Sequence, residues 1–279
     1  MQTGLLSAKR ILKGSPVRQV GRRILILDSV SSTNDIAWGQ AEQPDSDGLC
    51  VFAETQTAGR GRRGRTWQSG RGDSLLFSVL LRDRPLPADI LTLASAVAVA
   101  ESVAGLFPLH IQIKWPNDVL IEKKKICGIL TESRNIRGRM CLVVGIGLNV
   151  NQSREFFLSL GLETPATSLA IETGQETDRN ALAALILNSL DHWLSVCRYA
   201  PGEVGQVWKR YNRQIGSQIR ILENQQEFSG TCIDIDPAKG LVVQLNHGPI
   251  RFFRAANCTV IPADRKSTRL NSSHSLTSR

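Results

Sequence analysis

The chain has 279 residues, 42% hydrophobic and 21% charged, an ordinary globular composition with enough apolar material for one large unit and a small one. A net charge of +9 would suit a nucleic-acid partner, but the excess sits at the two ends. Residues 1–23 hold Lys9, Arg10, Lys13, Arg18, Arg22 and Arg23 with no acid, residues 264–279 hold Arg265, Lys266, Arg269 and Arg279 against Asp264, and residues 24–263 are neutral overall, which excludes a globally basic domain.

In chain order, residues 1–22 read as a basic segment without the apolar core of a secretory signal. A short apolar strand at 24–27 leads through Asp28 into a serine-rich turn ending at Asn34. A second strand at 49–53 opens a polar loop, 54–73. Residues 75–81 are nearly all apolar, which predicts a strand buried on both faces. Pro85 and Pro87 break the chain, and 88–106 follows as a helix rich in Ala, Leu and Val. Thr92, Ser95, Glu101 and Ser102 interrupt its apolar stretch, so it reads as a buried helix and not a membrane span. Strands are predicted at 111–115, 119–122, 126–131 and 140–149. An amphipathic helix follows at 177–198, with Thr177 or Asp178 as N-cap, then a shorter one at 203–212.

Beyond residue 216 the pattern changes to short alternating segments at 218–222, 227–235, 241–245, 250–254 and 259–261, separated by turn signals. They predict a small barrel. The expected organisation is a basic segment 1–22, a catalytic domain 23–214, a barrel 215–263, and a disordered tail 264–279 that is set apart as non-native in character. The cysteines Cys50, Cys127, Cys141, Cys197, Cys232 and Cys258 form no C-x-x-C pair, which argues against zinc and for a reduced, cytoplasmic setting.

The strongest local signal is Gly59-Arg60-Gly61-Arg62-Arg63-Gly64-Arg65-Thr66-Trp67. It satisfies G-x-G-x-x-G, but it runs through Gly70 and Gly72 into a strand, whereas a dinucleotide fingerprint opens a helix. No Gly-Lys-Ser/Thr follows, which excludes a P-loop. Glycines allow close backbone approach and arginines supply planar donors for phosphate or carboxylate, so the loop reads as an anion site; crowded like charges should leave it poorly ordered without its ligand. The alternative is a solvated basic loop. Lys114-Trp115-Pro116-Asn117-Asp118 could serve a phosphate and a magnesium ion, or be a turn capped by Asn117 and Asp118. Lys125 opens a strand in which Gly128 permits close approach, or is simply solvated. Ser31-Ser32-Thr33-Asn34, with Gln56, could meet a urea-like ring, or cap the next helix. The histidines are scattered, and no Ser/His/Asp arrangement stands out.

Together these motifs resemble those of the bacterial biotin–protein ligases: the G-R-G-R-x-G-R-x-W loop at 59–67, K-W-P-N-D at 114–118, K-x-x-G-I-L at 125–130, G-x-G-x-N at 145–149, and S-T-N at 32–34. The resemblance covers about residues 20 to 262 and implies an α/β (α+β) fold, a mixed sheet with flanking helices like the class II aminoacyl-tRNA synthetase catalytic domain, followed by a small barrel of the Src-homology kind. It implies ATP-dependent formation of biotinyl-adenylate, then transfer of biotin to a lysine of a biotin carboxyl carrier protein. It implies biotin contacts at Ser32, Thr33, Asn34, Gln56, Arg60, Gly61, Arg62 and Lys125, and ATP contacts at Arg60, Arg62, Arg65, Trp67, Lys114, Asn117, Asp118 and Asn149. Arg62, Lys114 and Lys125 would be catalytic, Asp118 would hold magnesium, and Trp67 would close the loop over the ligand. Lipoate–protein ligases are the alternative of the same reaction type. Only about 20 residues precede the first strand, too few for the winged helix of bifunctional ligase/repressors. The expectation is therefore a monofunctional ligase, monomer or homodimer, with no sequence-specific DNA or membrane partner, the alternative being a bifunctional chain truncated at its N-terminus.

Overall fold

The computed structural model describes residues 4–14, 19–84 and 86–261; Pro85 and the tail 264–279 lie outside the described residues. The strands β1 (Ile24–Val30), β2 (Cys50–Gln56), β3 (Ser74–Arg82), β4 (Ile111–Lys114), β5 (Asp118–Ile121), β6 (Lys124–Ile136) and β7 (Arg139–Asn149) build one mixed sheet in the order β1-β2-β3-β7-β6-β5-β4. Only β1 and β2 run parallel; every other pair is antiparallel.

The apolar run of β3 is explained by its central place. Leu75, Phe77, Val79 and Leu81 face the main core, while Leu80 faces a second cluster with Ala37, Trp38, Leu49, Val51 and Val143. The alternation puts Ser78 on that second side, a buried polar residue in an apolar strand. Seven α-helices are found among the described residues: α1 (Ala8–Lys13), α2 (Thr33–Gly39), α3 (Ala88–Leu106), α4 (Arg154–Ser159), α5 (Leu169–Thr173), α6 (Arg179–Tyr199) and α7 (Pro201–Tyr211). α3 is the one described helix long and apolar enough to cross a membrane, yet it packs on α6, α7 and the sheet, and its Ser95 and Ser102 hydroxyls donate to carbonyls four residues back. Asp178 is the N-cap of α6, accepting from the Asn180 amide at 2.9 Å.

The second sheet has strands β8 (Gln218–Glu223), β9 (Gln226–Asp236), β10 (Gly240–Leu245), β11 (Ile250–Phe253) and β12 (Cys258–Ile261), antiparallel throughout in the order β11-β10-β9-β8-β12. Its edge strands β11 and β12 do not pair with each other. Its inward residues, among them Ile221, Leu241 and Phe253, join the core of the first sheet. α1, which the sequence reading left as part of a basic segment, buries Ile11 against α6. The Leu6 amide donates to Glu54 at 2.7 Å, and Glu54 pairs with the buried Arg179 at 2.7 Å.

Candidate functional site

A cavity of about 1070 Å³, counting the open solvent at its mouth, lies over one face of the first sheet. The turn into α2 contributes Ser32, Thr33 and Asn34, and the end of β2 contributes Gln56. The basic loop brings Arg60 to Arg63 and Arg65 to Trp67, and the β4–β5 turn brings Lys114 to Asp118. The floor is Lys125 and Gly128 on β6 with Gly145 and Gly147 on β7. Every residue expected at the site therefore lines this one cavity, except Asn149.

Its polar end is held by a chain of hydrogen bonds. Gln56 Oε1 accepts from the Thr33 amide at 2.7 Å and from the Thr33 hydroxyl at 3.0 Å. Gln56 Nε2 has no hydrogen-bond partner among the described residues and stays available as a donor. The Ser78 hydroxyl donates to Asn34 Oδ1 at 2.6 Å and lies 2.7 Å from the Thr33 hydroxyl. Asn34 Nδ2 donates to Glu132 Oε2 at 2.9 Å. Gly145 is required here, because a Cβ would sit 2.4 Å from Asn34 Oδ1.

The basic loop is a small hairpin closed by the Trp67 amide on the Gly59 carbonyl, 2.9 Å, and the Gly61 amide on the Arg65 carbonyl, 2.6 Å. Arg63 at its tip has φ 56°. Part of the expected charge crowding is offset within the chain, while Arg63 still repels Arg62. Arg60 makes two 2.7 Å bonds to Asp35, and this guanidinium holds the Asp35 carboxyl below the usual carboxylate range. The Arg62 guanidinium donates to the Ala255 carbonyl beside the second sheet, and burial pushes its pKa below the ordinary arginine value. Two of the loop's arginines are thus held by the chain's own acceptors. Arg63, Arg65 and Lys114 line the cavity and make no ion pair among the described residues. They remain free to meet a polyanion.

Trp67 lies flat on the floor. A Cβ at Gly147 would be 2.6 Å from its Cε2, and one at Gly128 would be 3.0 Å from its Cζ3. The indole is thus seated between loop and sheet. Its Nε1 is buried with no hydrogen-bond partner among the described residues and lies against Gly147. Lys125 Nζ sits 5.6 Å from the ring centroid and 2.6 Å from Asp118 Oδ1. The Lys125 backbone is clamped as well: its amide donates to the Pro165 carbonyl at 2.8 Å, and its carbonyl accepts from the Thr167 amide at 3.0 Å.

Two of the residues expected to contact ligand also make structural bonds. Asn117 Nδ2 donates to the Ile129 carbonyl at 2.8 Å, fixing the β4–β5 turn. Asn149 is buried off the cavity, donating to the carbonyls of Thr167 at 3.0 Å and Lys125 at 3.4 Å. From there it holds the Lys125 carbonyl. A protein-held magnesium is also poorly served: the one cavity-lining carboxylate, Asp118, is paired with Lys125, and no cluster of three or more His, Cys, Asp or Glu occurs among the described residues. Sequence reasoning missed Asp35, Ser78, Glu132 and the β12 pair Thr259 and Val260, which line the far wall. Ser78 had a signal, a hydroxyl inside a doubly buried strand; Thr259 and Val260 had none, being remote in sequence.

Residues 26–151 match the model of the biotin/lipoate A/B protein ligase family. The chain is similar to the bifunctional ligase/repressor BirA of Bacillus subtilis, 34% identical over 256 residues, covering 90% of this chain and 78% of that protein. It is similar to the biotin--[acetyl-CoA-carboxylase] ligase of Mycobacterium tuberculosis, 34% identical over 223 residues, covering 77% of this chain and 80% of that one. Among solved structures, the biotin protein ligase of Aquifex aeolicus in complex with biotin and ATP superposes with a TM-score of 0.72 at 26% identity, covering 86% of this chain and 99% of that one.

Proposed function

From the chain's membership of the biotin/lipoate A/B protein ligase family, we propose that it is a biotin–protein ligase that makes biotinyl-5'-AMP from biotin and ATP and then transfers biotin to a lysine of a biotin carboxyl carrier protein. The single observation that carries this reading is the position of Lys125. It stands at the floor of a cavity with a neutral polar end, Ser32 to Asn34 and Gln56, and a cationic end, Arg62, Arg63, Arg65 and Lys114. That polarity suits a neutral ureido head with an acid tail reaching toward a triphosphate. The polar end matches a ring that both donates and accepts hydrogen bonds.

In the first step a carboxylate oxygen of biotin attacks the α-phosphorus, an oxygen–phosphorus bond forms, and pyrophosphate leaves with its electron pair. Both reactants are anions. Arg62 and Lys114 offset their repulsion, and Lys125 holds the carboxylate in line. Magnesium enters as part of the substrate, on the ATP phosphates, where few protein carboxylates are needed. In the second step the neutral amine of the carrier lysine attacks the mixed-anhydride carbonyl; an amide forms, AMP leaves, and the amine loses a proton. The Trp67 indole and the Arg-rich hairpin exclude water from the adenylate between the steps.

We place the division between a catalytic unit and a smaller one near residue 214, between α7 and β8; the smaller unit contributes Thr259 and Val260 to the cavity and the Ala255 carbonyl to Arg62. We assign the reaction to the cytoplasm, because all six cysteines are free and buried as a reduced compartment would leave them. The test is exchange of labelled pyrophosphate into ATP. Exchange that depends on biotin and ignores lipoate is expected; exchange driven by lipoate, or by neither acid, would overturn the reading.

A further inference from the structure

The side chains at the polar end converge on Glu132 of β6, a residue to which no ligand contact has been assigned. Its Oε2 accepts from Asn34 Nδ2 at 2.9 Å and from Trp38 Nε1 at 3.0 Å, and it lies 3.8 Å from the Arg60 guanidinium. Asn34 and Trp38 are four residues apart on α2, so both donors lie on one face of that short helix. Both are buried. Two residues along the same face of β6, Arg134 lies over the Trp38 ring at 4.4 Å. The other end of the Asn34 carboxamide is bonded to Ser78.

We propose that Glu132 is a positioning residue for the biotin head group: it fixes which end of the Asn34 carboxamide faces which neighbour, and so sets the donor and acceptor pattern of the cavity's polar end. The inference rests on the ligase reading above. An Asn side chain can turn over and exchange its oxygen for its nitrogen. Here the turned-over form would set Oδ1 against the Glu132 carboxylate, which only accepts, so acceptor would face acceptor. Ser78 alone imposes no such choice, because a hydroxyl both donates and accepts. The Trp38 N–H makes the restraint firmer. An indole only donates, so it demands an oxygen at the Oε2 position whatever Asn34 does. A ring that both donates and accepts hydrogen bonds would be mismatched by a turned-over Asn34, whereas ATP, bound at the cationic end, would not be affected.

The test is the pyrophosphate-exchange assay with Glu132→Ala and Glu132→Gln, biotin and ATP varied separately, and melting followed in parallel. Losing a hydrogen bond to a charged group predicts that Glu132→Ala raises the biotin KM about tenfold while the ATP KM stays within about twofold. Glu132→Gln keeps an oxygen where Trp38 requires one and should return the biotin KM to within about threefold of the parent. Calorimetric biotin binding should follow the same order. If Glu132→Ala does not fold, Glu132→Met, which keeps the volume and removes both acceptors, carries the same expectation. A folded Ala or Met variant with an unchanged biotin KM, a parallel rise in both KM values, or no rescue by Gln would each overturn the proposal. A parent protein without biotin-dependent exchange is a different result: it removes the ligase reading, and this inference with it.

Discussion

At the scale of single residues, the cavity places one lysine between an acid and an indole. Lys125, 2.6 Å from Asp118, is the cation nearest the floor, and Lys125→Ala should abolish pyrophosphate exchange while leaving the melting temperature near the parent's. Full exchange in that variant would remove Lys125 from the chemistry. Arg62 ties the hairpin to the Ala255 carbonyl, so Arg62→Gly should release biotinyl-adenylate. The readout is indiscriminate biotin labelling of bystander proteins, and a variant that retains its adenylate would contradict the lid role. Gly147→Ala would drive a methyl to 2.6 Å from the Trp67 indole. Overpacking of that kind costs about 1–3 kcal/mol, and it should raise the KM for biotin and lower the denaturant midpoint together. Much of the cavity's lining was legible in the sequence, because its residues sit in contiguous motifs at strand ends. Asn149 shows the limit: its motif was recognised, but its amide turns away from the cavity to hold the Lys125 carbonyl. Glu132 and Ser78 escaped because they act through Asn34, and no local pattern marks a residue that serves another side chain.

At the scale of elements, the strands were read well and the short helices poorly, for one reason. Alternation shows over four residues, and β3 through β7 carry it or a full apolar run, whereas a helical period needs a window longer than α2, α4 or α5 provides. α1 was hidden differently: Lys9, Arg10 and Lys13 dominate its composition, and only Ile11 and the neighbouring Leu6 mark the buried side. It has a consequence for stability. Residues 6 and 7 are bonded to Glu54 and Asn180, so α1 closes over the Glu54–Arg179 pair. Arg179 is 1% exposed, and Arg179→Met should lower the unfolding free energy by about 3–5 kcal/mol by leaving Glu54 unpaired. Ile11→Ala should cost about 2–5 kcal/mol through the cavity it leaves. Urea titrations check both; a loss below about 1 kcal/mol in either would show that the segment is only loosely attached.

At the scale of the whole molecule, the two sheets share one core and one cavity. Phe253 and Ile221 of the second sheet are buried with the helices of the first, and Thr259 and Val260 complete the far wall. The sequence foretold the second sheet from its turn spacing but not its part in the site, since no pattern within residues 218–261 refers to a loop near residue 62. The shared core also governs the thiols. Burial raises Cys50, Cys197 and Cys258 to about 12, so at neutral pH the native protein should resist alkylation, and all six thiols should react once urea unfolds it. The central claim is tested most directly by mixing the protein with biotin, ATP, magnesium and a biotin carboxyl carrier domain, and weighing the carrier by mass spectrometry. The carrier should gain the mass of one biotinyl group, on one lysine, only when biotin and ATP are both present. A carrier of unchanged mass, or one that gains lipoyl in place of biotinyl when lipoate is supplied, would contradict the account.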